Sequence, residues 1–137
     1  MLKYRMPQSR LLFAQLLILF PLAVTSWLAV EYSLYWRIWW LDIPMHLLGG
    51  LWAGIFSVWL IARRDNHPSL LWCLTFALFV GVAWEVFEYS EGIAAAYHFS
   101  YPFDTAKDLA MDLLGAIFGW ILGQRLANGL VNGRKTK

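Results

Sequence analysis

The stretch DTAKDLAMDLLGAIFG, residues 104–119, decides how this chain folds and what it can hold. On an α-helix, Asp104, Asp108 and Asp112 follow one another at about 40° around the axis, so their carboxylates share one narrow face. The two glycines of the stretch continue that face toward the C-terminus. This pattern predicts a helix that turns its acids toward a ligand and its glycines toward a neighbouring helix.

Composition indicates that the chain lies in a membrane. Of its 137 residues, 60 % are hydrophobic and only 15 % are charged, and the mean hydropathy is +0.52. A soluble domain of this size rarely has so little charge to cover its surface. The single cysteine, Cys73, excludes an internal disulfide and a cysteine-rich metal site. A net charge of +2 gives no reason to expect nucleic acid as a partner.

Four apolar runs are long enough to cross a bilayer, which takes about 20 helical residues. We expect these spans at residues 11–30, 43–62, 70–89 and 105–126. The first run is too long for an ordinary signal peptide, so we expect it to be retained. The predicted fold is therefore all-α: an integral membrane four-helix transmembrane bundle that forms a single membrane domain over residues 1–137.

Lysine and arginine are distributed unevenly between the two sides of this bundle. Of the eleven, two lie on the side where the second and fourth spans begin, namely Arg37 and Lys107, and the other nine lie on the opposite side. Because cytoplasmic loops carry the excess of basic residues, both termini are predicted to be cytoplasmic.

Polar groups of three spans then meet in the outer half of the membrane. The second span begins with Asp42 and His46, the third ends with Glu85 and Glu88, and the fourth begins with Asp104, Asp108 and Asp112. An ionised acid at a helix centre costs about 2.5–3.5 kcal/mol, so a bare cluster needs shared protons or a bound cation. One imidazole among carboxylates suits a divalent metal ion such as Zn, Mn, Fe, Mg or Ca.

These groups receive predicted roles. The metal ligands are Asp42, His46, Glu85, Glu88 and Asp108. Asp112 or Asp104 acts as general base, and Lys107 either neutralises a neighbouring acid or holds an anionic substrate.

Simpler interpretations stay open for several of them. Asp42 and Asp104 suit helix N-caps, and Thr105 and Asp108 have the spacing of a capping box. His46 alone suits a hydrogen-bonded packing residue. The glycines of the fourth span suit close helix packing or a homo-oligomer contact; they are Gly115, Gly119 and Gly123.

Three motifs carry a family resemblance: Asp42-x-x-x-His46, Glu85-x-x-Glu88-Tyr89, and Asp104-Thr105-x-x-Asp108 with Gly115-Ala116 beyond. Over about residues 42–120 the chain resembles the YjdF-type family of small bacterial inner-membrane proteins, and more loosely the VanZ-like family. The resemblance implies a multi-pass protein of the bacterial inner (cytoplasmic) membrane. It supports the polar site more than any particular reaction.

The leading functional hypothesis is a metal-dependent hydrolase or transferase at the outer leaflet, acting on a lipid or a lipid-linked envelope precursor. Membrane lipids are its expected surroundings and partners. A second hypothesis is a proton- or cation-coupled transporter or channel subunit, whose acids carry the ions. A third is a non-enzymatic assembly or immunity factor that binds a partner through the carboxylate pocket.

Overall fold

A computed structural model describes residues 8–63, 68–92 and 101–128 of the chain. Its helices, in chain order, are α1 (Gln8–Glu31), α2 (Leu34–Arg37), α3 (Asp42–Ala62), α4 (Leu70–Glu91) and α5 (Tyr101–Asn128). All except the short α2 are long and apolar enough to cross a membrane. The predicted all-α membrane bundle is therefore confirmed, and the protein is a multi-pass membrane protein.

Glycines bring the backbones of α3 and α5 into direct contact. A Cβ atom built on Gly54 of α3 would lie 2.8 Å from the Cα of Gly119 on α5. One built on Gly115 would overlap the carbonyl oxygen of Leu47, so no larger residue fits there without moving a helix. The prediction that the glycine face packs against another helix is confirmed.

The partner of this glycine face is a helix of the same chain. Gly115 and Gly119 are buried against α3, and a Cβ atom on Gly123 would lie 3.0 Å from the side chain of Val58. A second copy of the chain therefore has no access to the stripe. Close packing within the chain is therefore the alternative that the structure supports for Gly115, Gly119 and Gly123, and the described residues give no support to a homo-oligomer contact through them.

The remaining helices pack around this central pair. Three small residues, Ala53, Ala77 and Ala116, form a buried cluster that joins α4 to α3 and α5. Near the C-terminal end of α3, Leu11 of α1 packs into a cluster with Val58. Large apolar side chains point away from the bundle, as expected for surfaces that face lipid.

The helices begin earlier than the capping interpretations require. The N-cap of α3 is Leu41, and no side chain caps that end. Because α5 begins at Tyr101, Asp104 and Thr105 lie inside the helix instead of at its cap. The capping interpretations of Asp42, Asp104 and the Thr105 box are therefore wrong, and these side chains are free to interact with other helices.

Candidate metal site

Polar side chains of three helices meet at one end of the bundle, where α3 and α5 begin and α4 ends. Five of them are each at most 5 % exposed: His46, Glu85, Glu88, Asp108 and Asp112. Asp42, in the first turn of α3, is partly buried beside them. Ionised side chains that are buried in a membrane span need a partner of opposite charge or a bound proton. The neighbours of each acid therefore decide what the site can bind.

His46 lies at the centre of this cluster. Its Nδ1 atom is 3.1 Å from Oδ2 of Asp112, at hydrogen-bond distance. Its Nε2 atom lies 3.5 Å from Oδ1 of Asp42 and 3.6 Å from Oε1 of Glu85. A carboxylate that accepts one ring N–H of histidine fixes the tautomer and leaves the other nitrogen with its lone pair. Asp112 thus turns Nε2 toward the remaining acids.

Two overlapping groups of side chains have the spacing of metal ligands. One consists of Asp42, His46 and Asp108, and the other of His46, Glu85 and Glu88. Within each group the ligand atoms lie within 4.8 Å of one another. His46 belongs to both groups, so a metal ion in either would bind the imidazole.

Three buried polar atoms of the cluster make no hydrogen bond: His46 Nε2, Asp42 Oδ1 and Asp108 Oδ1. The Asp108 atom is 3.4 Å from Nζ of Lys107, which gives it an ion pair. Buried polar atoms without hydrogen bonds are costly. A divalent cation among them would satisfy all three, and an imidazole with carboxylates is a donor set that such cations accept. The residues present therefore fit a metal ion.

Two further side chains hold the glutamates in place, and sequence reasoning missed both. Thr105 donates its hydroxyl hydrogen to Oε2 of Glu85 across a 2.7 Å hydrogen bond. Trp84 donates its indole N–H to Oε1 of Glu88 over 2.8 Å. The i, i+4 spacing of Trp84 and Glu88 was a usable signal. For Thr105, the capping-box pattern pointed to the wrong partner.

Asp104 and Lys107 form the rim of the site. The Lys107 ammonium pairs with Oδ1 of Asp104 at 2.5 Å and also approaches Asp108. The side chains of Lys107 and Asp104 are 35 % and 34 % exposed. Lys107 therefore neutralises acids, as one of its two predicted roles requires, while its exposure leaves it accessible from outside the cluster.

Tyr35, in the short helix α2, turns toward the bundle although the aromatic residues around it do not. Its neighbours Tyr32, Trp36, Trp39 and Trp40 are exposed, whereas Tyr35 is partly buried. Burial raises the pKa of Tyr35 to about 12, although a hydrogen bond with Ser26 lowers it, and the negative charges of Asp42 and Glu88 add to the rise. Its phenol group therefore stays protonated beside the acids at physiological pH.

Comparison with known proteins places the chain in a family. Residues 2–129 match the family described as predicted membrane protein DUF2238. The chain belongs to the DUF2238 family. No curated protein and no solved structure matches it.

Membership of DUF2238 agrees with the four membrane-spanning helices, and the family description assigns no reaction. The resemblance to YjdF-type proteins is compatible with this membership. The looser likeness to the VanZ-like family is not shown by any of these comparisons.

The room for the Asp112 carboxylate comes from a glycine on α4. A Cβ atom on Gly81 would overlap Oδ2 of Asp112, the atom that faces His46. We expect Gly81→Ala to push the carboxylate away from Nδ1 and to lower the free energy of unfolding by about 0.6–1.7 kcal/mol, the range for interhelical hydrogen bonds in membranes. In protein with ¹⁵N-labelled histidine, the hydrogen-bonded ring N–H of His46 should disappear from the NMR spectrum.

Gly49→Ala is the matched control, because its Cβ atom would lie 3.7 Å from Oδ1 of Asp112, an ordinary contact. The His46 signal should persist in this variant. An unchanged His46 signal in Gly81→Ala would show that Asp112 does not depend on the space that Gly81 provides.

Proposed function

We propose that this DUF2238 protein binds a divalent metal ion through His46 and the surrounding carboxylates, and that it is a metal-dependent hydrolase or transferase acting on a lipid or lipid-linked precursor. The proposed ligands are those expected from the sequence: Asp42, His46, Glu85, Glu88 and Asp108. The observation that carries the proposal is the geometry of His46. Its Nδ1 atom is hydrogen-bonded to Asp112. Its buried Nε2 atom faces neighbouring acids but makes no hydrogen bond itself.

Charge balance supports a cation at this position. Four acids are buried within α4 and α5, namely Glu85, Glu88, Asp108 and Asp112. Lys107 contributes one positive charge, and it divides that charge between Asp104 and Asp108. A divalent ion would compensate the remaining negative charge without requiring most of the acids to bind protons.

We propose different roles for the polar groups of the site. A bound divalent ion supplies an activated water or polarises a phosphoryl or acyl oxygen. Because Asp112 is hydrogen-bonded to Nδ1 of His46, we propose that it orients the imidazole and does not act as the general base. Asp104, at the accessible rim, keeps the proposed role of general base. Lys107 beside it would attract an anionic head group.

The proposed location follows from the distribution of basic residues. The site lies at the end of the bundle opposite the N-terminus of α1 and the C-terminus of α5. If both termini are cytoplasmic in a bacterial inner membrane, the site faces the outer leaflet.

Transport requires polar groups that continue through the membrane. Deeper in the bundle, the buried polar residues of the described chain are Gln15 and Ser57. This sparse distribution supports chemistry at one leaflet over a pathway for ions. Cation flux into proteoliposomes is the result that would favour the transporter hypothesis, and a co-purified partner without metal would favour an assembly factor.

Reconstituted protein tests the enzymatic proposal. We expect vesicles of bacterial total lipid extract containing the metal-loaded protein to form a new lipid product, detected by mass spectrometry. EDTA should stop product formation, and addition of the metal should restore it. Glu88→Gln should reduce product formation, whereas Glu91→Gln, which changes an exposed glutamate at the end of the same helix, should not. Metal-loaded protein that forms no product would refute the enzymatic proposal while leaving metal binding intact.

The orienting role of Asp112 gives a separate prediction. Because loss of a carboxylate behind a histidine ligand costs about 10–100-fold in metal affinity, Asp112→Asn should weaken metal binding by that factor. Asp104→Asn, at the rim, should change the affinity much less. Competition with a chelating dye measures both. If Asp112→Asn leaves the affinity unchanged, His46 is not oriented through this hydrogen bond.

A further inference from the structure

A cavity of about 290 Å³ lies between α1 and α4, with α3 forming its floor. Apolar side chains form most of its wall, among them Leu22 and Ala23 of α1 and Val80 of α4. His46 and Asp112 line the same cavity, so it reaches the imidazole at the centre of the metal site. All of its lining residues lie within membrane spans.

The dimensions of the cavity suit a hydrocarbon chain. Its lining extends over residues 19–26 of α1 and 77–84 of α4, which is about 10 Å along each helix at 1.5 Å per residue. A cavity of about 150 Å³ admits benzene, which has six carbons. On that scale a volume of 290 Å³ has room for roughly twelve carbons.

The position of the cavity in the membrane indicates which hydrocarbon can enter it. Apolar cavities exclude water, and an empty void of this size loses packing contacts. α1 and α4 both pack on α3 but make little contact with one another, so the cavity borders the bilayer between them. Acyl chains are the main component of that surrounding solvent, and they reach the gap without crossing a polar region.

We propose that this cavity binds one acyl chain of a bilayer glycerophospholipid, which enters sideways between α1 and α4. The bound chain places the ester and phosphate groups at the end of the cavity where His46 and the carboxylates lie. This inference rests on the proposed function and deepens it, since it makes a diacyl lipid the substrate class of the metal site.

Photolabelling of the full chain tests the inference. Protein is reconstituted in phosphatidylethanolamine and phosphatidylglycerol vesicles that contain a trace of phospholipid with a diazirine in the middle of one acyl chain. After illumination, labelled peptides are mapped by mass spectrometry. We expect Ala23 and Val80 and their lining neighbours to be labelled several-fold more than Phe20 and Phe79, which are 73 % and 72 % exposed and face bulk lipid.

Filling the cavity should remove this excess. Ala23→Trp places a large side chain on the α1 wall and should reduce cavity labelling several-fold. Val24→Trp, at the next position of α1, should leave it unchanged, because Val24 is 41 % exposed and does not line the cavity. Val80→Trp, with Leu78→Trp as its control, repeats the test from α4 if the first variant does not fold.

Each result has a definite meaning for the inference. Labelling of the cavity residues at or below the level of Phe20 and Phe79 would overturn it, whether or not metal is bound. Preferential labelling by a diazirine-bearing polyprenyl phosphate would overturn the assignment to an acyl chain. Cavity labelling in a protein that binds no metal would support the lipid site and refute the proposed metal function, so the two failures are distinguishable.

Discussion

Replacing His46 with alanine should abolish metal binding by the purified protein. His46 is common to both candidate ligand groups, so its loss leaves neither group complete. Removal of a carboxylate that only orients a ligand costs about 10–100-fold in affinity, and removal of the ligand itself should therefore cost more than about 100-fold. Elemental analysis after dialysis, together with chelator competition, measures the loss.

The other variants should form a graded series. Glu88→Gln and Asp108→Asn each remove one ligand from one group, so they should weaken binding less than His46→Ala does. Glu91→Gln, whose side chain is exposed at the end of α4, should bind like the wild type. Full metal content in His46→Ala would show that the metal binds elsewhere in the protein.

Gly50→Leu should have the largest effect on the fold itself. A Cβ atom on Gly50 would overlap the backbone carbonyl of Asp112, which cannot move without displacing α5. Forcing extra volume into a packed interface costs about 1–3 kcal/mol, and here the two helix backbones must separate, so we expect about 3 kcal/mol or more. Unfolding in mixed detergent micelles, followed by tryptophan fluorescence, measures this loss.

The neighbouring glycine supplies the control for this substitution. A Cβ atom on Gly49 would make only an ordinary contact with the Asp112 side chain, so Gly49→Ala should change the free energy of unfolding by less than about 0.5 kcal/mol. Near-equal stability of Gly50→Leu and wild type would mean that α3 and α5 do not pack through their glycines.

The bundle and its central contact could be predicted from sequence because both follow from local periodicity. The length and hydropathy of each run predicted a span, and the i, i+4 spacing of Asp108 and Asp112 with the glycines beyond them predicted which face of α5 turns inward. Asp42 and His46 were paired by the same rule. Asp42 and His46 were predicted to lie near Glu85 because the chain reverses direction between successive spans, so that the second span begins where the third ends.

The partners inside the site could not be predicted in the same way. Thr105 and Asp108 match a capping box, and only the start of α5 at Tyr101 shows that Thr105 is inside the helix and bonds to Glu85 on α4. The role of Asp112 depended on a contact 66 residues away in sequence, with His46. Tyr35 looked like its exposed aromatic neighbours because composition does not reveal which side of a four-residue helix is covered.

The partner of the glycine stripe on α5 could not be predicted from the sequence either. A small-residue stripe shows that a close helix contact forms, but it does not say whether the partner belongs to the same chain. The overlap between Gly115 and the backbone of Leu47 identifies the partner as α3.

Three helices bring His46 and its surrounding acids together, and we propose that this cluster holds a divalent cation. Elemental analysis of protein purified without chelators, and again after incubation with Zn, Mn, Fe, Mg or Ca and removal of excess ion, tests it most directly. We expect at least about one ion per chain for one of these metals, and its loss in His46→Ala. Wild-type protein that is folded and retains none of these ions after loading would contradict it.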